Sequence, residues 1–262
     1  MISFRLLGEM GQLGNQLFQI ATTLSYAAKL NVEAKFPKWK YNQFVENKID
    51  DSLTAEDFQK FEYACIETQF NYKSVTVADN SYLQGYFQSE KYFKEHKKLI
   101  HHHFFPSIDI LKQIYAKYGN ILDKKICSIH VRRGDYLERS NYHTNLGVTD
   151  YYKDAIKLMN PLVENFVVFS DDIEWCKTNI YNYHEQYRSN KKFIFIEGNS
   201  EFFDLSFISL CNHHIIANSS FSWWGAYLGK DSNKRVIAPK NWFGKDFVGK
   251  WDDIYCNDWN VI

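Results

Sequence analysis

Residues 126–136 read ICSIHVRRGDY. A short apolar run that stops at a turn signal is the pattern of a strand buried on both faces, as in a parallel sheet. Here the run ends without a spacer on Arg132-Arg133-Gly134-Asp135. On the C-terminal side the pattern repeats. Residues 150–159 predict a helix opened by Asp150 as an acidic cap and stopped before Pro161. Residues 166–169 predict a second buried strand ending at Ser170-Asp171-Asp172, with Asp172 placed to cap a helix carrying Trp175 and Cys176. Residues 193–196 form a third strand ending at Gly198, 200–210 a helix and 215–217 a further strand. Ser219 or Ser220 then caps a helix bearing Trp223, Trp224 and Tyr227. Strand and helix alternate four times, which is the signature of a parallel α/β sheet.

The N-terminal side opens in a related way. Residues 2–7 predict a strand, Gly8, Gly11 and Gly14 a turn, and residues 15–30 a helix. Leu17, Ala21, Leu24 and Ala28 recur at helical spacing, with Gln19, Thr23 and Lys29 on other faces. Strand, glycine turn and helix begin a nucleotide-type α/β domain. Residues 36–110 have weak periodicity; 75–77 and 82–87 are read as short strands and 89–103 as a basic helix. Pro106 and the Gly119-Asn120 pair mark a boundary region at 105–122. The expected organisation is an N-terminal lobe over 1–120 and a C-terminal lobe over 121–262, whose tail is free to return to the first.

Composition narrows the classes. The 262 residues are 45% hydrophobic and 24% charged, enough for a packed core and unlike a disordered chain. Thirty-one basic residues balance thirty-one acidic ones, against a general nucleic-acid binder. Aromatics reach 18%; most must be core, though rings also serve as platforms for sugar faces. No apolar run approaches the roughly 18 residues that span a bilayer, and residues 1–7 lack the pattern of a signal peptide. The expectation is a cytoplasmic protein without a transmembrane segment, with peripheral contact at the cytoplasmic membrane face left open. The five cysteines, with no Cys-x-x-Cys pair, fit reduced thiols and give no zinc site.

Three segments carry candidate chemistry. The chain holds only six arginines, Arg5, Arg132, Arg133, Arg139, Arg188 and Arg235, so an adjacent pair at a strand's carboxyl end stands out. Ligands of open α/β sheets bind at that end, and guanidinium forks match phosphate oxygens. The plainer alternative is a surface pair bridged to Asp135. In NSSFSWW, residues 218–224, a helix N-terminus offers N–H groups to an anion, with Ser219, Ser220 and Ser222 as hydroxyl donors. An ordinary capped helix with both tryptophans in the core is the bland reading. GEMGQLGNQ, residues 8–16, is not a dinucleotide fingerprint, but it can bring backbone close to a phosphate or sugar, with Asn15 as an amide donor. Metal sites are not expected: His101-His102-His103 cannot converge on one ion, and no Asp-x-Asp occurs to bridge a cation to a sugar diphosphate. There is no Gly-x-Ser-x-Gly elbow and no Walker A sequence.

Taken together, GQLGNQLFQIA, HVRRGDY, the FSDD segment with Trp175 and CNHHIIANSSFSWWGAYL resemble glycosyltransferase family 11, the α-1,2-fucosyltransferases. The four blocks lie in the family's order over residues 11–228, while residues 32–125 add almost nothing. The resemblance implies a GT-B fold, two Rossmann-type lobes with a cleft between them, the N-terminal lobe over 1–120 on the acceptor side and the C-terminal lobe over 121–262 binding GDP-fucose. It implies inverting transfer of L-fucose from GDP-β-L-fucose, as substrate rather than cofactor and without an essential metal, to the 2-hydroxyl of a glycan acceptor, expected to end in galactose. It places Arg132 and Arg133 against the pyrophosphate with His130 beside them. It also implies Ser219, Ser220, Phe221 and Ser222 at the phosphates, Asn218 among the donor-binding residues, and Asn15 as a catalytic residue near the fucose and the leaving phosphate. By the same resemblance Ser170, Asp171, Asp172 and Glu197 are expected to line the guanosine pocket. In such a transfer the leaving group is already a phosphate, so fixed positive charge matters more than a general acid. Asp135 is the first candidate for the base, or else holds the arginines in place. The alternatives are an inverting transferase with another nucleotide sugar, and a glycan-binding protein without catalysis.

Overall fold

The computed structural model describes residues 1–186 and 191–262; Arg188 lies outside them. The chain divides into two compact units, Met1–Ile110 with Gly249–Cys256, and Leu111–Val248 with Asn257–Ile262.

The first unit begins with β1 (Ile2–Phe4), whose residues are all buried. The glycine-rich turn leads into α1 (Leu13–Leu30), closed by Asn31 in the left-handed region at φ 54°. Then come β2 (Ala34–Lys35), α2 (Ala55–Phe58), β3 (Tyr63–Ile66), β4 (Ser81–Gln84) and α3 (Lys97–His103). All pairings are parallel, in the order β2-β1-β4-β3. The strand expected at 75–77 does not form. The helix expected over 89–103 is broken: Phe93, at φ −141°, separates two 3-10 turns, Glu90–Tyr92 and Lys94–His96, and α3 starts only at Lys97. Gln19 and Thr23, expected away from the apolar face, are fully buried. They are tolerated because Thr23 Oγ1 donates to Gln19 O at 2.8 Å and Gln19 Nε2 to Met10 O at 2.9 Å.

In the second unit α4 (Ile108–Leu122) leads to β5 (Ile126–Val131), α5 (Gly134–Glu138), α6 (Tyr151–Met159), β6 (Asn165–Ser170), α7 (Ile173–Gln186), β7 (Lys192–Ile196), α8 (Glu201–Leu210), β8 (His213–Ile215), α9 (Ser220–Leu228), β9 (Val236–Ala238) and β10 (Asn260–Val261). Its sheet is also wholly parallel, ordered β10-β9-β8-β5-β6-β7. Numbered from β5, that is the 3-2-1-4-5-6 order of the doubly wound nucleotide-binding fold, which reverses between β5 and β8. Cys127, Ile129 and Val131 pack with Tyr152, Ala155, Ile156 and Met159 of α6. Trp223 and Trp224 are core residues at 0% exposure.

Most caps fall where expected. Asp172 Oδ1 accepts the Trp175 N–H at 3.2 Å, and Ser219 Oγ accepts that of Phe221 at 3.3 Å. Asp150 stands at the N-cap position of α6 but its side chain makes no capping bond; Thr149 Oγ1 takes the Tyr151 N–H instead. Among the described residues no helix is long and apolar enough to cross a membrane.

Candidate active site

The β5–β6 ladder ends with Val131 opposite Ser170. The next residue on each strand is therefore Arg132 and Asp171, side by side, with β5 itself flanking the strand-order reversal on its other edge, toward β8. Asp171 Oδ2 lies 2.9 Å from Arg132 Nη1, and its Oδ1 accepts the Arg133 N–H at 2.9 Å. Arg132 Nη2 donates to Asp135 Oδ1 at 2.5 Å. Arg133 Nε donates to Asp172 Oδ2 at 2.9 Å, and its guanidinium lies 4.2 Å over the Trp175 ring. Asp172 is itself steadied by Ser170, whose Oγ accepts its N–H at 2.9 Å.

Three carboxylates thus orient two guanidiniums. The arginines differ: the Arg132 side chain is 31% exposed and that of Arg133 13%. Each guanidinium has five N–H donors, so three carboxylate bonds leave donors on both for an anion. Arg133 is wedged between Asp172 and Trp175, while Arg132 reaches outward over the Tyr136 ring at 5.4 Å.

The loop after β8 lies across the reversal. Asn218 is 1% exposed and its amide donates to Thr144 O at 3.0 Å and Trp242 O at 2.8 Å. Its carbonyl accepts the Tyr136 hydroxyl at 3.1 Å, tying this loop to the arginine turn. Ser222 was expected as a hydroxyl donor to a ligand. It is fully buried, accepting the Ala217 N–H at 3.2 Å and donating to Ser219 O at 3.3 Å, so it braces the turn from inside. Ser219, Ser220 and Phe221 form the face of the turn at the N-terminus of α9, where the helix dipole favours an anion.

His130, the penultimate residue of β5, is 7% exposed and packs on Phe221 at 5.2 Å. Its Nδ1 has no partner among the described residues. Burial, reinforced by Arg132, pushes its pKa down to about 3, so the ring is neutral at physiological pH. Glu197 is not gathered with these groups. It follows the edge strand β7 and pairs with Lys177 of α7 at 3.2 Å. No group of three or more His, Cys, Asp or Glu side chains among the described residues could hold a metal ion.

Asn15 belongs to the first unit, at the corresponding strand-order reversal between β1 and β4. Its Oδ1 accepts from Gln88 Nε2 at 2.7 Å. Gln16 Nε2 and Gln19 Nε2 hold the preceding loop through Gly11 O and Met10 O, each at 2.9 Å. Sequence reasoning missed Gln88 as Asn15's partner and Tyr136 as the link to Asn218. Tyr136 lies inside the quoted HVRRGDY block; nothing in the sequence marked Gln88.

The sequence profile of Glycosyl transferase family 11 matches residues 9–262. An Escherichia coli protein named α-1,2-colitosyltransferase is 32% identical over 275 residues, covering 92% of this chain and 93% of its own. A Caenorhabditis elegans galactoside 2-α-L-fucosyltransferase is 28% identical, covering 84% of this chain and 68% of its own. Among solved structures, POFUT1 in complex with GDP superposes with a TM-score of 0.57 at 12% identity, over 90% of this chain and 97% of that one. The fucosyltransferase NodZ from Bradyrhizobium gives 0.53 at 13%, over 86% and 91%. At such identities the likeness is one of fold, and it is to GT-B enzymes built from two Rossmann-type units. With the profile covering all but the first eight residues and a close match across nine-tenths of the chain, the four motifs have the meaning their order implied: this glycosyltransferase belongs to glycosyl transferase family 11.

Proposed function

We propose that the chain transfers L-fucose with inversion from GDP-β-L-fucose to the 2-hydroxyl of a β-galactosyl glycan, forming an α-1,2 linkage. The observation that carries the reading is the meeting of two anion-binding elements at the strand-order reversal of the second unit. These are the outward-reaching Arg132 and the capped N-terminus of α9. There the guanidinium pair receives the diphosphate, and its fixed charge meets the negative charge that grows as the sugar leaves. That role also replaces a divalent cation. Ser219 and Ser220 complete the phosphate side, and His130, kept neutral, offers a ring nitrogen rather than a charge. The Asp135 carboxylate is bonded to Arg132, which favours an orienting role over that of base.

The 32% identity to an α-1,2-colitosyltransferase supports a second reading in which the donor sugar is colitose, which lacks one hydroxyl of L-fucose. A site built to bond that hydroxyl rejects the deoxy sugar strongly, whereas an apolar site discriminates weakly. The test is kcat/KM for both GDP-sugars on β-galactosyl acceptors, with and without excess EDTA. Transfer from GDP-fucose that survives the chelator supports the proposal. Transfer only from GDP-colitose selects the second reading, and binding of glycan with no affinity for GDP would return the chain to the lectin class.

A further inference from the structure

One side chain holds the turn after β4 in an unusual backbone conformation. Gly85 has φ +152° and Phe87, a bulky residue, has φ +50°. A left-handed phenylalanine costs free energy and persists only where its surroundings enforce it. The β3–β4 ladder ends with Ile66 opposite Gln84, so Glu67 and Gly85 follow side by side. The Glu67 carboxylate reaches across the turn: Oε2 accepts the Tyr86 N–H at 2.6 Å and Oε1 that of Phe87 at 2.9 Å. A Cβ on Gly85 would fall 2.3 Å from Glu67 Cβ, so the clamp needs glycine there. The next residue, Gln88, is the one whose Nε2 bonds Asn15 Oδ1. From the other side Gln19 Nε2 reaches Gly85 O at 3.4 Å.

Glu67 forms no ion pair among the described residues, and burial pushes its pKa up to about 7 despite the two backbone N–H bonds. A desolvated carboxylate without a cation is a poor stabiliser. Its two bonds go to the two residues that fix where Gln88 emerges.

We propose that Glu67 is a positioning residue for the transfer reaction: it clamps the Tyr86 and Phe87 N–H groups and so fixes Gln88 against Asn15, setting which end of the Asn15 amide accepts and which donates. The proposal rests on the reading of Asn15 as a residue of the transfer reaction. Glutamine at position 67 can accept from one N–H but presents its own amide hydrogens to the other, so the turn loses half its clamp.

The experiment uses the full chain and the variants Glu67→Gln, Glu67→Asp, Asn15→Ala and the double variant Glu67→Gln/Asn15→Ala. With GDP-fucose and a β-galactosyl acceptor, Glu67→Gln is expected to lower kcat on the order of 10- to 100-fold. GDP affinity, set in the second unit, should stay within about twofold, and Glu67→Asp should recover part of the rate. In the Asn15→Ala background the same change should cost almost nothing further, because the two act as one unit. Losses that multiply, or wild-type kcat with lowered stability alone, overturn the proposal. The side-chain amide resonances of Asn15 and Gln88, read by NMR without any donor, form an independent arm. They should shift in Glu67→Gln, and unchanged resonances also overturn the proposal. If the wild type transfers nothing from GDP-fucose, the functional reading fails while the spectra still decide the role of Glu67. Should Glu67→Gln not fold, Glu67→Asp is read in the same two arms.

Discussion

Asp171 Oδ2 lies 2.9 Å from Arg132 Nη1, and the pair exists because β5 and β6 end in register. The same carboxylate also bonds the Arg133 backbone, so one side chain on the neighbouring strand fixes the geometry of the arginine turn. Asp171→Ala removes both acceptors. Bonds to a charged partner contribute about 1.5–3 kcal/mol, so GDP affinity should fall by roughly one to two orders of magnitude, read by calorimetry. An Asp171→Ala protein with wild-type GDP affinity would show that the arginines need no such support.

Arg132→Lys separates charge from geometry. Lysine keeps the charge but loses the planar fork that spans Asp135 and Asp171 and that the proposed function also aims at the diphosphate. The variant should lose kcat by on the order of 10²-fold or more, nearly as much as Arg132→Ala. Asp135→Asn is the contrast. An orienting Asp135 predicts weaker GDP binding together with lower turnover; a base predicts normal GDP binding and lost turnover. Wild-type kcat and GDP affinity in Arg132→Lys would remove Arg132 from the mechanism.

The second unit was legible in the sequence because its strands are continuous apolar runs that stop at charged turns. Four alternations and the Asp172 and Ser219 caps followed from local pattern, whereas joining Arg132 to the loop after β8 rested on the family resemblance. The first unit was less legible: β2 is two residues long, and β3 exposes three of its four residues. Strands so short or so exposed leave almost no periodic signal. The burial of Gln19 was hidden because helical spacing shows where apolar residues fall, not that a second layer covers the polar face. Ser222 was misjudged because a hydroxyl one turn into a helix can satisfy its own turn as readily as a ligand. Glu197 stands apart from the arginine turn because β7 is the edge strand, and strand order is a tertiary property that local pattern does not carry.

Gly134 is glycine because Asp171 occupies the space a side chain would need. A Cβ there would lie 2.6 Å from Asp171 Oδ2. Gly134→Ala should push that carboxylate off Arg132 and lower GDP affinity, at a stability cost of about 1–3 kcal/mol. Gly119→Ala, in α4 with nothing within 4 Å of the added carbon, is the control. It should leave GDP binding unchanged and raise stability by about 0.5–1 kcal/mol. Equal GDP affinity in both variants would count against the packing argument.

Two buried histidines contribute to acid sensitivity. Burial lowers the pKa of His130 and of His214 to about 3, from 6.5 in the unfolded chain. The unfolded state therefore binds more protons below pH 6.5. Each histidine's contribution is complete above 6.5 and is lost as pH falls toward 3, at up to about 1.4 kcal/mol per pH unit. Glu67 and Asp204, raised to about 7 and about 6, act in the opposite sense as they take up protons in the folded state. The wild-type curve sums groups of opposite sense, so the difference between two proteins carries the test. His214 is fully buried beside Ser128, its Nδ1 2.9 Å from the hydroxyl. His214→Asn should be less stable than wild type at pH 7, where it forfeits packing. The gap should then close by about 1.4 kcal/mol per unit as pH falls from 6.5 to 4.5, measured by urea unfolding at each pH. Parallel stability curves for the two proteins would mean that His214 takes up its proton in the folded state as readily as in the unfolded chain.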